Sequence, residues 1–293
     1  MEGRFPDRIT PYLLLAPSIL VVAVFLLVPS VEALVQSTRL VDPFTGRGIF
    51  VGLQNFADLL ASSEYRHSIL VSIVFAVCAT ALALAAALGL ALLAALPLRG
   101  GGFYRTALLW PYALSPAVAG VLWGLMFDPS TGPLTFLVRA ATGISPNWML
   151  NGNLALAMVV VAASWKMLGY NIVFFLAGLQ AIPGELLEAA SVDGASSWSR
   201  FWSIRLPLLS PITFFLVIMN TLQAFFENFG LIDVLTQGGP ARATDILVYK
   251  LYRDGFVNVQ WGLASAQSIA LFVLVAVLTV LQFRYAGRRV FYS

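Results

Sequence analysis

Glu188-Ala189-Ala190-Ser191-Val192-Asp193-Gly194, followed after nine residues by Ile204-Arg205-Leu206-Pro207, forms a charged, glycine-bearing break between two long apolar runs. Glycine readily takes positive φ and proline cannot continue a helix, so the stretch predicts a helix from about Gly184 to Asp193, a stop at Gly194, and a second short helix ended by Pro207. The whole loop, about 182–207, then reads as a helical hairpin on a membrane surface. Its spacing is the informative part: Glu-Ala-Ala, three residues, Gly, nine residues, Ile-x-Leu-Pro. The plainer alternative is a hairpin whose alanines merely favour helix and whose glycine and proline merely end it.

Outward from this break the chain is greasy. Its 293 residues are 59% hydrophobic and 11% charged, with a mean hydropathy of +0.86. That leaves too little polar surface to cover a soluble globule and implies an all-α integral membrane protein. Apolar runs of about 20 residues suit helices crossing a hydrocarbon core of roughly 30 Å, and the short alternating segments of a β-barrel are not visible. Cys78 lies inside an apolar run and His67 outside any, which excludes a disulfide framework or a Cys/His metal cluster within the chain. A net charge of +3 could suit nucleic acid, but the basic residues lie at the ends of apolar runs, where membrane topology explains them. The N-terminal apolar run is too long for a secretory signal and leads to Glu32 rather than a small-residue cleavage site, so it reads as a retained span.

Six spans follow, roughly Pro11 to Ser37, Ile69 to Leu96, Ala107 to Phe127, Leu154 to Ala181, Pro207 to Phe226 and Leu263 to Phe283, in one membrane domain over 1–293. Arg99-Gly100-Gly101-Gly102, Asp128-Pro129-Ser130-Thr131-Gly132-Pro133 and Gln237-Gly238-Gly239-Pro240 supply turns between them. An even number of spans puts both termini on one side. Arg4, Arg8, Arg99, Arg105, Arg200, Arg205, Arg284, Arg288 and Arg289 share it; Arg39, Arg47, Arg66, Arg139, Arg242, Lys250 and Arg253 lie opposite. The first set sits in short segments close to span ends, which places both termini and the Glu188 loop in the cytoplasm. Residues Asp245 to Phe256 read as a short amphipathic helix at the outer interface, its aromatics at headgroup depth.

The chemistry is equally bounded. No G-x-x-x-x-G-K-[ST] phosphate loop occurs, so any ATPase must be a separate chain, and no H-E-x-x-H site or nucleophile with a general base supports catalysis. Ionisable groups inside spans are costly and usually face a cavity or a partner. Lys166 lies deep in the fourth span with Tyr170 one turn on, while Asn171 points away from both. On the fifth span Thr213, Asn220, Gln223 and Glu227 form one polar stripe, with Asn220 near the depth of Lys166 and Glu227 close to the outer surface. Lys166, Tyr170, Asn220, Gln223 and Glu227 are therefore candidates for a substrate pathway; helix-to-helix hydrogen bonding is the alternative. Glu32 and Asp128 read as solvated, and Trp110, Pro111, Pro116 and Trp123 as a kinked lining. Arg200 and Arg205 read as cations near lipid headgroups.

The complete hairpin pattern between the fourth and fifth of six spans resembles the signature loop of the membrane subunits of bacterial ABC importers. The resemblance extends through PYLLLAP from Pro11, VDPF from Val41, VGLQNF from Val51, WPYALSPAVAGVLW from Trp110, TQGGP from Thr236, YKLYRDGF from Tyr249 and LTVLQFRY from Leu278. It is closest to the carbohydrate type of binding-protein-dependent permease, and within that to first permease subunits of sn-glycerol-3-phosphate importers. It implies the type I importer permease fold, with the hairpin as coupling helix: Glu188 pairing with a basic group of an ATPase, Ala189 and Ala190 permitting close packing, Gly194 making the bend. It further implies a second homologous permease, an ATPase dimer carrying ATP and Mg, an extracytoplasmic substrate-binding protein, location in the bacterial inner membrane, and no cofactor in this chain. A permease for a neutral sugar and a non-transporting membrane scaffold for an ATPase remain the alternatives.

Overall fold

The computed structural model describes residues 10–42, 45–96 and 101–285. Arg4, Arg8, Arg99, Arg288 and Arg289, used in the charge reading, lie outside them, as do Gly100 and the Pro43-Phe44 pair. Among the described residues Tyr12–Ser37, Ser63–Ala94, Gly152–Ala181 and Trp261–Arg284 are long and apolar enough to cross a membrane. Two bent pairs, Gly102–Ala113 with Pro116–Met126 and Ser197–Leu208 with Ser210–Phe226, bring the spans to six when each pair counts as one. The chain divides into two compact units, Met1–Ser63 with Leu251–Phe272, and Glu64–Lys250 with Val273–Ser293.

In the first unit, helix Thr10–Val22 passes through a widened π turn, Ala23–Leu27, into Val28–Ser37. Pro29 has no amide hydrogen to give, and the turn just before it absorbs the mismatch: the Val28 amide reaches back to the Ala23 carbonyl. A two-stranded antiparallel hairpin, Arg39–Val41 with Gly48–Phe50, stands where the sequence suggests only loop. Asn55 is buried and donates through Nδ2 to the carbonyls of Ser37 (2.8 Å) and Arg39 (3.0 Å), tying the hairpin to the helix Gln54–Ala61. Asp254 is likewise buried, accepting from Gln267 Nε2 at 2.6 Å and Asn258 Nδ2 at 3.1 Å.

The second unit is built around Gly152–Ala181. Against it lies Ser63–Ala94, whose Ala79, Ala83, Ala87 and Ala91 are fully buried at four-residue spacing; one-carbon side chains let two helices approach closely. Ser164 uses that approach to donate to the Ala79 carbonyl at 3.0 Å. Asn171 and Asn220, both fully buried, join Gly152–Ala181 to Ser210–Phe226. Near the hairpin-bearing end Ala87, Ala91, Ile172, Phe175, Leu209 and Leu216 make an apolar core.

Three expectations about these elements need correction. The third span is not one helix: Ser115 caps a new start, its Oγ accepting from the Val118 amide, and Pro116 begins the second piece at 104° to the first. Pro207 does not end its helix. It sits inside Ser197–Leu208, which admits it through a π turn at Phe201–Arg205, and the chain bends by 64° only at Leu209. Residues Asp245 to Phe256 do not turn a whole aromatic and apolar face outward, for Leu247, Tyr249, Lys250 and Asp254 are buried in protein while Phe256 is exposed. Lys250 Nζ lies 3.8 Å from Glu64, which also pairs with Arg242. A charge buried with a partner distant in sequence mimics, in a local window, the polar side of an interfacial helix.

Candidate functional site

Two surfaces carry the candidate residues. The first is the hairpin. Helix Gly184–Val192 closes in a Schellman arrangement: the Gly194 amide donates to Ser191 and the Ala195 amide to Ala190, with Gly194 at φ +82°. Nothing crowds Gly194, so its residue type answers to backbone conformation alone. The next helix, Ser197–Arg200, begins at Ser196, whose Oγ accepts from the Ser199 amide at 3.2 Å. Arg200 spans the two arms, donating to the Leu187 carbonyl (3.4 Å) and Ser197 Oγ (3.3 Å), so it braces the hairpin as well as carrying charge.

Helix Gly184–Val192 has no buried residue. Glu188 and Ala189 are exposed and Ala190 half-buried. Apolar side chains are exposed beside them: Val192 at 88%, Trp198 at 70% and Leu186 at 47%. Trp198, Phe201 and Trp202 pack on one another with ring centroids 5.3–6.2 Å apart. Among the described residues Glu188 enters no ion pair. A capped and braced hairpin with bare apolar side chains and a carboxylate that enters no ion pair among the described residues is suited to docking.

The second surface is a narrow crevice lined by Tyr112, Lys166, Met167, Gln223, Glu227 and Asn228. It brings together Lys166, Gln223 and Glu227, and the fourth candidate, Tyr170, stacks on Tyr112 with centroids 5.7 Å apart. Lys166 is half-buried, its Nζ 6.0 Å from the Tyr112 ring centre, a cation over an aromatic face. Among the described residues no carboxylate lies within 4.0 Å of Lys166. Gly169 makes the arrangement possible, because a Cβ there would lie 3.0 Å from both the Leu109 carbonyl and Tyr112 Cβ. Asn228 is buried and donates to the Gln223 carbonyl at 2.9 Å, closing the end of the Ser210–Phe226 helix beneath Glu227.

Asn220 does not join this group. Its amide is spent on Asn171 and on the Leu216 carbonyl (2.7 Å), and it is fully buried. The two helices run antiparallel, so pairing residue 171 with 220 sets 166 opposite the 223–227 turn. Lys166 and Glu227 therefore share a level that the sequence assigns to Lys166 and Asn220. Thr213 returns its hydroxyl to the Leu209 carbonyl and lines nothing here. Tyr112 and Asn228 were not singled out from sequence. Tyr112 lies within the quoted WPYALSP stretch, one turn before the broken-helix signal at Ser115-Pro116; Asn228 follows Glu227 directly.

Comparisons with known proteins agree with this architecture. The chain is 50% identical over 99% of its length, and 98% of the relative's, to the sn-glycerol-3-phosphate transport system permease protein UgpA of Brucella suis biovar 1. It is 44% identical to the protein of the same name from Escherichia coli O157:H7, over 99% of this chain and 98% of that one. Two solved structures share the fold at 20% identity. One is a bacterial ABC transporter involved in import of the acidic polysaccharide alginate, with TM-score 0.79 and 95% of each chain covered. The other is a bacterial alginate ABC transporter in complex with an alginate pentasaccharide-bound periplasmic protein, with TM-score 0.82 and 95% and 94% covered. Six apolar spans interrupted by an unburied hairpin, with a match over residues 8–292, place this chain in the family of binding-protein-dependent transport system inner membrane components.

Proposed function

We propose that this permease conducts sn-glycerol-3-phosphate, or glycerophosphodiesters, across the inner membrane as one of two homologous permease subunits. The observation that carries the substrate reading is Lys166: a half-buried ammonium on a membrane-crossing helix, facing a crevice, with an aromatic face beneath it and no carboxylate within 4.0 Å among the described residues. A compact point charge of this kind suits a phosphoryl group, and Gln223, Glu227 and Asn228 offer acceptors and donors to hydroxyls. The substrate in the relatives' names, sn-glycerol-3-phosphate, points the same way.

Energy enters from outside the chain. With no phosphate loop of its own, the permease depends on a separate ATPase dimer holding ATP and Mg, docked on the hairpin from Gly184 to Leu208 with both termini on the same cytoplasmic side. Closure of the ATPases draws the hairpins together and opens the pathway to an extracytoplasmic binding protein carrying the substrate. Reconstitution of all the partners in proteoliposomes tests this. Lys166→Ala should lower ATP-driven sn-glycerol-3-phosphate uptake while the binding protein's affinity stays unchanged, and full uptake would remove Lys166 from the site. Glu188→Lys should abolish uptake; survival of uptake in that variant would refute docking through Glu188.

A further inference from the structure

At the end of helix Gly152–Ala181 away from the hairpin, the second unit carries a cleft of about 240 Å³. Leu154, Ala157 and Val161 of that helix line one side, and Thr135 and Val138 of helix Pro133–Thr142 another, with Trp148 between the two in sequence. From Leu154 to Val161 is about 10 Å along a helix, so the cleft follows the first turns of a membrane-crossing segment.

Nothing in the cleft wall invites water. Thr135 Oγ1 and Trp148 Nε1 both donate to one acceptor, the Phe127 carbonyl, at 3.1 and 2.9 Å. The other lining side chains are apolar, so a water seated there would lack partners, whereas hydrocarbon needs none.

Thr135 also lines a second pocket, of about 410 Å³, with Ser130, Thr131, Phe136 and Arg139. Here the chemistry is charged. Arg139 is exposed, and its one hydrogen bond among the described residues runs from Nη2 to the Pro129 carbonyl at 3.5 Å. Asp128, beside Pro129, takes four hydrogen bonds from Ser130 and Thr131, all on Oδ1. Among the described residues Oδ2 accepts none, and Asp128 and Arg139 form no ion pair within 4.0 Å. A cation and an anion thus stand by one pocket without neutralising each other, next to an apolar cleft.

We propose that cleft and pocket together seat one phosphatidylethanolamine molecule, with an acyl chain between Val138 and Leu154, the phosphate on Arg139 and the ammonium on Asp128 Oδ2. The headgroup joins one anion to one cation, the complement of the two side chains. The quaternary ammonium of phosphatidylcholine has no N–H to give a carboxylate, and phosphatidylglycerol has no cation at all. Phe136 and Leu137, 67% and 59% exposed beside Arg139, give the same helix bare hydrocarbon next to a cation, the pattern of a helix at a lipid interface. The proposal needs the membrane location of the family and is independent of the substrate reading.

Fluorescence quenching tests the occupant. The complete transporter is reconstituted in phosphatidylcholine vesicles, and phospholipids brominated midway along one acyl chain are titrated in. Subtracting the signal of Trp148→Phe isolates Trp148; in that variant Thr135 still serves the Phe127 carbonyl. Half-quenching should need about tenfold less brominated phosphatidylethanolamine than brominated phosphatidylcholine, the effect of one hydrogen bond to a charged group. Equal requirements would mean bulk lipid, and no quenching by either would mean that protein covers the cleft; each overturns the proposal. Asp128→Asn keeps the Oδ1 acceptor but loses the charge, so it should abolish the preference and leave quenching by phosphatidylcholine unchanged. Arg139→Gln should weaken both lipids alike, since both carry the phosphate. Ala157→Phe should fill the cleft and remove most of the quenching by either lipid, with thermal unfolding confirming that the variant is folded. An ethanolamine preference that survives Asp128→Asn refutes the headgroup assignment, and quenching that survives Ala157→Phe refutes the seated chain.

Discussion

Asn171 and Asn220 exchange hydrogen bonds in both directions, Nδ2 to Oδ1 at 3.1 Å one way and 2.8 Å the other, at full burial between two membrane-crossing helices. Truncating one partner strands the other's amide, whereas truncating both leaves apolar surface. Asn171→Leu should therefore lower stability by about 1–3 kcal/mol. The double change with Asn220→Leu should cost less than the single one, because such intramembrane bonds contribute only about 0.6 kcal/mol on average. Thermal unfolding of the purified complex across the four-membered cycle measures this; additive losses would refute the pairing.

Gly169 sets the distance from Tyr112 to the helix bearing Lys166. Gly169→Leu should push Tyr112 away at a cost of about 1–3 kcal/mol of overpacking. Uptake should fall with the ATPase still active. Equal losses of uptake and of folded protein would show only that the bundle is destabilised.

Gly194 makes a separate prediction because a side chain added there would meet nothing within 4 Å. Gly194→Val should cost roughly 1–2 kcal/mol by forcing a β-branched residue into the left-handed region. Gly194→Asn should be milder. The order Gly, Asn, Val should appear in the ATP-driven uptake rate, read against complex yield, if the hairpin's bend transmits force.

Asp128 Oδ1 accepts from the hydroxyls and amides of Ser130 and Thr131, at 2.6–3.0 Å. The Ser130 hydroxyl leads these bonds in holding the Asp128 carboxyl well below the ordinary carboxylate range. A depressed pKa stabilises the folded turn above the unfolded value, near 3.9, and the contribution is lost as pH falls through the folded pKa. The melting difference between wild type and Asp128→Ala should be flat from about pH 7 to 5 and shrink only below about pH 4. A difference that disappears by pH 5 would refute it.

Much of this was legible in the chain. Apolar runs located the helices because hydropathy is summed over many residues, and Gly194 marked its own cap. Ser115-Pro116 is a helix-start signature as plain as any, yet it vanishes when Ala107 to Phe127 is averaged as one apolar run. Depth was the harder quantity. Counting along one helix placed Lys166 level with Asn220; the bond between Asn171 and Asn220, absent from any single-helix pattern, shifts the register toward Glu227. Glu64 and Lys250 are 186 positions apart, so local spacing could not show that the lysine is buried against a partner.

The late bend at Leu209 has a mechanical consequence. Helix Ser197–Leu208 runs unbroken through Pro207, about 18 Å from the Trp198 end of the hairpin to the turn. Leu209 is fully buried among Ile172, Phe175 and Leu216, and beyond it the chain sets off at 64° toward Gln223 and Glu227. If force enters at the hairpin, the geometry is that of a bell crank pivoting on Leu209: a sideways shove on the short arm would be returned at the far end of the long arm as a swing of the side chains facing Lys166.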